Sequence, residues 1–221
     1  MIPGLLQNSL KTSTDWLTVQ SLEVLCTRLR RSSADETETL IEAGILDHLT
    51  KVFEQESVTC INLAAKSAKL LAKLARDHQI KKFKGLMPSL KKLLTSSDKC
   101  EIGIKDTAFG PVVLCCAVLV SKLKVQVHFI FIHRKFLFYY QALGHLNWTI
   151  ESIIAGITKA DTDTLKIITV ASLGKILSEM SGFVSPHLPM ILTALSQFSL
   201  KNDSELERRV VICIKELGNA F

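Results

Sequence analysis

The strongest constraint on this 221-residue chain is a helix opening that recurs along it. It reads Ile2-Pro3-Gly4-Leu5-Leu6, Gly44-Ile45-Leu46-Asp47-His48-Leu49, Gly85-Leu86-Met87-Pro88-Ser89-Leu90, Gly144-His145-Leu146-Asn147-Trp148 and Pro186-His187-Leu188-Pro189-Met190-Ile191. Aligned on Pro3, Asp47, Pro88, Asn147 and Pro189, the openings lie 44, 41, 59 and 42 residues apart. Proline in a first helical turn forfeits no hydrogen bond, because that N–H has no partner inside the helix. A period near 40 residues implies units of two or three helices that bury their apolar faces only against their neighbours.

The helices between the openings keep the same phase. Asp15 is placed to cap a helix from Trp16 to Arg31, with Trp16, Val19, Leu22, Leu25 and Leu29 on one stripe. Ser32 to Asp35 breaks it, Glu36–Glu42 is a short acidic helix, and Gly44 starts the next. Val58 to about Asp77 reads as a long helix with Ile61, Ala64, Ala65, Ala68, Leu71, Ala72 and Ala75 inward. Its Lys66, Lys69, Lys73 and Arg76 share a second face, read as solvated. Gln79–Lys84 is the expected short middle helix. Later, Leu165–Met180 is amphipathic, and Ser204 with Glu207 forms a capping box before a helix that Gly218 stops after Leu217.

These elements give an opening helix at 1–12, repeats at about 15–55, 57–97, 98–158 and 160–200, and a final helix at 203–220, in one domain over 1–221. Ile2, Leu5, Leu6 and Leu10 form an apolar set that needs an upstream partner. Either the chain is a fragment of a longer protein or this helix acts as a cap, and the fragment is the expectation.

Val125–Tyr140 departs from this texture. It holds six of the fourteen aromatic residues, and its alternation is closer to period two than to 3.6. The spacing from Pro88 to Asn147 exceeds the next one by 17 residues, the length of Val125–Gln141. That segment is expected to be an insertion into one repeat. The alternative is a buried helix of an enlarged repeat, with Phe129, Ile132, Phe136 and Tyr140 inward. Lys122 and Lys124 interrupt the apolar run at 111–132, so no membrane span is expected there.

The bulk numbers exclude disorder: 48% of residues are hydrophobic and the mean hydropathy is +0.27. The net charge of +6 permits an acidic partner, but the basic residues are scattered. Cys26, Cys60, Cys100, Cys115, Cys116 and Cys213 form no C-x-x-C, so they are read as free buried thiols in a reducing compartment, cytoplasmic or nuclear. Met1 to Leu6 lacks a basic region before an apolar core, and no secretory leader is expected. Phosphate-binding loops, zinc-protease and serine-hydrolase motifs and a spaced Cys/His set are absent from the sequence. The expectation is a binding protein with no catalytic residues, no cofactor and no metal.

Ile41-Glu42-Ala43-Gly44-Ile45-Leu46 and Lys84-Gly85-Leu86-Met87-Pro88-Ser89-Leu90-Lys91-Lys92-Leu93-Leu94 resemble armadillo-repeat proteins. The likeness covers residues 16–97, and residues 144–220 in a more HEAT-like form. Residues 36–96 are most similar to the small-GTPase GDP-dissociation stimulator. The resemblance implies an all-α solenoid whose third helices line a groove. Counting one, four and eight residues past each opening places Gln7 and Lys11, His48, Lys51 and Gln55, Lys92 and Ser96, and Trp148 and Glu151 on that groove. The partner-binding candidates are His48, Lys51, Lys92, Trp148 and Glu151. Importin-α-like recognition is not expected, because the residue four after Trp148 is Ser152 where that group carries Asn. The implied function is a scaffold that binds a protein or peptide, with a small GTPase as one partner class. The alternative is a basic module of a nucleic-acid-associated complex.

Overall fold

The computed structural model describes residues 2–11, 15–95, 103, 106–130, 136–198 and 204–220; the side chains of 2, 11, 124–130, 136–142 and 220 are outside the description. Every regular element among the described residues is helical. The chain divides into two compact units, Met1–Cys115 and Cys116–Phe221.

The first unit contains α1 (Ile2–Lys11), α2 (Asp15–Leu29), α3 (Ala34–Glu42), α4 (Ile45–Phe53), α5 (Val58–Leu74), a 3-10 segment over Asp77–Gly85, α6 (Leu86–Thr95) and the start of α7 (Phe109–Ile130). One long element followed by two short ones occurs twice: α2, α3, α4 and then α5, the 3-10 segment, α6. Equivalent elements stack, α2 against α5 and α1, α4 and α6 in succession. Ala64, Ala65, Ser67, Ala68 and Ala72 of α5 are all buried, as are Leu22, Leu25 and Leu29 of α2, and Ser67 meets Cys26 in the seam between the two helices. Each buried leucine contributes roughly 1.5–3 kcal/mol by leaving water.

Local signals set the boundaries. Ser33 Oγ accepts from the Glu36 amide and the Glu36 carboxylate accepts from the Ser33 amide, a capping box that starts α3. Gly44 turns the chain into α4 with φ of 79°, a left-handed conformation that other residues adopt at a cost. The 3-10 segment lies where a short middle helix is expected, its entry tied by Gln79 Oε1 accepting from the Arg76 amide at 3.1 Å.

The second unit holds the rest of α7, then α8 (Phe136–Lys159), α9 (Asp163–Met180), 3-10 turns at Ser181–Phe183 and Ser185–His187, α10 (Leu188–Leu195) and α11 (Glu205–Ala220). Here α9 packs on α11, and α8 on both α9 and α10. Thr162 caps α9, and the Ser204–Glu207 capping box starts α11 as expected.

Hydrogen bonds between elements repeat the spacing of the openings. Cys26 Sγ lies 3.0 Å from Ser67 Oγ, 41 residues on, and His78 Nε2 lies 3.0 Å from Glu38 Oε1, 40 residues back. In the second unit His187 Nε2 is 3.0 Å from Asn147 Oδ1, 40 residues back, and the Cys213 thiol donates to the Val170 carbonyl, 43 residues back.

Several expectations are corrected. Asn147 does not open a helix: α8 runs unbroken from Phe136 to Lys159 through Gly144 and Asn147. Trp16 is not on the core stripe of α2 but 59% exposed. Successive steps of three residues from Leu25 back to Trp16 turn the stripe progressively away from the core, since a helix needs about 3.6 residues per turn. Gly218 does not stop α11, which continues to Ala220. The backbone at 125–130 and 136–141 is helical, against the period-two reading. Residues 131–135 and the side chains of Val125–Gln141 lie outside the description, and with them the choice between insertion and enlarged repeat. Cys100 and Ser96 lie outside it too.

Candidate functional site

The candidate face in the first unit is built by α4 and α6. On α4, Ile45, Leu46, Leu49, Val52 and Phe53 are buried, which leaves Asp47, His48, Lys51 and Glu54 on the outward side. On α6, burial of Leu86, Met87, Leu90 and Leu93 turns Pro88, Lys91 and Lys92 outward. Between the two helices lies a cleft of about 370 Å³, lined by Phe53, Glu54, Pro88, Ser89, Lys92 and Leu93. Its floor is apolar and its rim carries one acid and one base.

His48 is half-buried on this face. Burial lowers its pKa from the usual imidazole value, Lys51 pushes the same way, and Asp47 opposes them. The ring is therefore held neutral. Two solvent-shielded atoms here, His48 Nδ1 and Gln55 Oε1, make no hydrogen bond among the described residues. Lys51 and Lys92 are exposed, as the sequence counting requires.

The second unit treats its two candidates differently. Glu151 is exposed, but Trp148 is 5% exposed, edge-on to His145 with ring centroids 6.1 Å apart. Trp148 was placed by counting from Asn147, and the residue it counts from lies in mid-helix. It serves the core of α8 and presents no surface.

A charged cluster missed by the sequence analysis joins the two middle segments of the first unit. Arg76 bonds Asp35 Oδ1 through Nη2 and lies 3.0 Å from Glu38 Oε2 through Nη1, while His78 holds the other oxygen of Glu38. Arg28 approaches Glu36 at 3.9 Å. The side chains are largely exposed, so each pair is worth well under about 1 kcal/mol. The signal lay in equivalent positions of consecutive repeats carrying opposite charge.

Among the described residues, no three His, Cys, Asp or Glu side chains converge as a metal site would require, and no single helix is long and apolar enough to cross a membrane.

Stacked helix triplets with this order and period define an α-solenoid of the armadillo kind. No protein-family model matches the chain, and no curated protein does. Solved structures match in fold. An engineered protein from the Northeast Structural Genomics Consortium superposes with a TM-score of 0.66 at 16% identity, over 96% of this chain and 47% of its own length. The chain thus spans about half of that protein. A designed armadillo repeat protein gives 0.50 at 15% identity over 98% of this chain and 100% of its own. Another, in complex with the peptide (KR)4, gives 0.51 at 15% over 98% and 99%. At such identities the likeness shows the fold.

Proposed function

We propose that this chain is a non-catalytic scaffold that binds a protein segment across the α4–α6 face. The observation that carries the reading is the cleft over Phe53 and Leu93, rimmed by Glu54, Ser89 and Lys92. An apolar floor with a few polar groups at the edge suits an apolar side chain of an extended segment. A neutral His48 beside Lys51 keeps the face mixed in character. The designed armadillo protein solved with (KR)4 is a precedent for peptide binding on this fold.

The finer reading is that the partner is a small GTPase. It rests on the resemblance of residues 36–96 to the GDP-dissociation stimulator family. The buried free cysteines favour a reducing compartment, the cytoplasm or nucleus. The test is affinity capture with the full chain and with Lys51→Ala/Lys92→Ala, followed by direct titration of any recovered GTPase loaded with GDP. Partners lost in the variant support the α4–α6 face. Partners retained in full overturn it, and a partner set without GTPases removes the finer reading alone.

A further inference from the structure

A second surface lies on α5, away from the α4–α6 cleft. Lys66, Lys69 and Lys73 recur at three and four residues and form one stripe about 10 Å long. Among the described residues, no acidic side chain pairs with any of the three. Arg76, one turn further, is by contrast clamped by Asp35 and Glu38. Burial lowers the Lys69 pKa, and Lys73 and Lys66 lower it further by repulsion. The three ammonium groups repel one another and, among the described residues, have no acidic partner.

Beside the lysines runs a second stripe, Leu63, Ser67, Leu70 and Leu74, at four, three and four residues. Ser67 is buried against Cys26 of α2, while Leu63, Leu70 and Leu74 are half-buried. Arg30, just past the end of α2, is exposed and, among the described residues, has no acidic partner. The outer side of the α2–α5 seam is thus a shallow leucine strip edged by unpaired basic groups.

We propose that this strip docks an acidic amphipathic helix of a partner protein. Leucine at spacings of three and four residues takes the apolar side of such a helix. Its flanking carboxylates meet Lys66, Lys69, Lys73 and Arg30. Two other classes of polyanion fit less well. Single-stranded nucleic acid uses stacking aromatics, and the strip offers none. A membrane requires apolar side chains free to insert, whereas these leucines are held half within the seam.

The experiment titrates the full chain into a fluorescein-labelled peptide of roughly 18 residues, built from Glu, Leu and Ala with leucines at helical spacing. A lysine-for-glutamate copy of the peptide, oligouridine and phosphatidylserine vesicles are the comparison probes. The expected result is saturable binding of the acidic peptide. It weakens by about tenfold or more in Lys66→Glu/Lys73→Glu. Lys66→Gln/Lys73→Gln weakens it less, with circular dichroism unchanged, which keeps the test valid should the charge reversal unfold the protein. Lys51→Ala/Lys92→Ala leaves it intact. The proposal is overturned if the acidic peptide does not bind, if the lysine copy binds equally, if oligouridine or vesicles bind more tightly, or if the Lys66/Lys73 variants bind as wild type does. Loss of binding in Lys51→Ala/Lys92→Ala alone also overturns it, and assigns the peptide to the α4–α6 face.

Discussion

Cys26 Sγ and Ser67 Oγ sit 3.0 Å apart in the seam between α2 and α5, and Ser67 Oγ also donates to the Leu63 carbonyl at 2.9 Å. A small polar residue is thus fixed at the point where two repeats touch. Ser67→Ala removes a hydroxyl that has partners and costs about 0.5–1.5 kcal/mol. Ser67→Leu forces the helices apart and costs about 1–3 kcal/mol or more. Urea denaturation of both variants checks the order, and equal midpoints would show that the seam is not close-packed.

Lys51→Ala/Lys92→Ala leaves stability within about 0.5 kcal/mol, because both side chains are exposed. Trp148→Ala lowers it by about 3–5 kcal/mol, because its ring is buried in α8. Thermal melts distinguish the two. A stable Trp148→Ala protein would return Trp148 to the surface.

His48 makes the fold acid-sensitive. The unfolded chain takes up a proton near pH 6.5, but the folded state holds this imidazole lower. Stability contributed by the neutral ring is present above pH 6.5 and declines as pH falls below that value, until the folded-state pKa is passed. His48→Gln flattens this part of the profile. Urea midpoints at about pH 7.5 and about pH 5.5 measure it; identical slopes in both proteins would assign the acid sensitivity elsewhere.

Two glycines fail for opposite reasons when changed to alanine. A Cβ at Gly44 meets only Asp47 Oδ2, at 3.8 Å, so Gly44→Ala loses about 1–2 kcal/mol through its φ of 79° alone. A Cβ at Gly174 lies 3.4 Å from Cys213 Sγ, so Gly174→Ala crowds that thiol where α9 meets α11. Adding Cys213→Ala to each variant tests this: it rescues the Gly174 change and not the Gly44 change.

Cys26, Cys60, Cys115, Cys116 and Cys213 are buried, and burial pushes the thiols of Cys115 and Cys213 up to about 12. Thiolate is the reactive form, so all five stay silent to a disulfide reagent in the native state and react after denaturation. Rapid native modification of any of the five, located by mass spectrometry, would contradict their burial.

The sequence was most legible where small residues alternate with leucine. Every inward residue named from Ile61 on α5 to Ala75 just past its end is buried. It misled where one residue stood for a whole signal. Pro3, Pro88 and Pro189 lie in first turns, and Gly44 precedes one with positive φ, but Gly144 lies within a helix and adds no stop. A glycine inside a helix costs only about 1 kcal/mol, which the apolar faces of α8 outweigh. From that one misplacement came the assignment of Trp148 to the groove. The face on α4 was readable because its opening was real. The Arg76 clasp was not, since it needs two repeats in register before its charges meet.

The cross-repeat hydrogen bonds have a mechanical meaning. The Cys26–Ser67, Glu38–His78, Asn147–His187 and Val170–Cys213 ties each reach across about one period, 40 to 43 residues. Tension along the chain loads such ties one after another. The first two close overlapping loops, 26–67 and 38–78, and so do the last two, 147–187 and 170–213, so a loop gives its length only after both ties of its pair have parted. A stretched molecule of this kind gives way in two steps, one for each pair of ties.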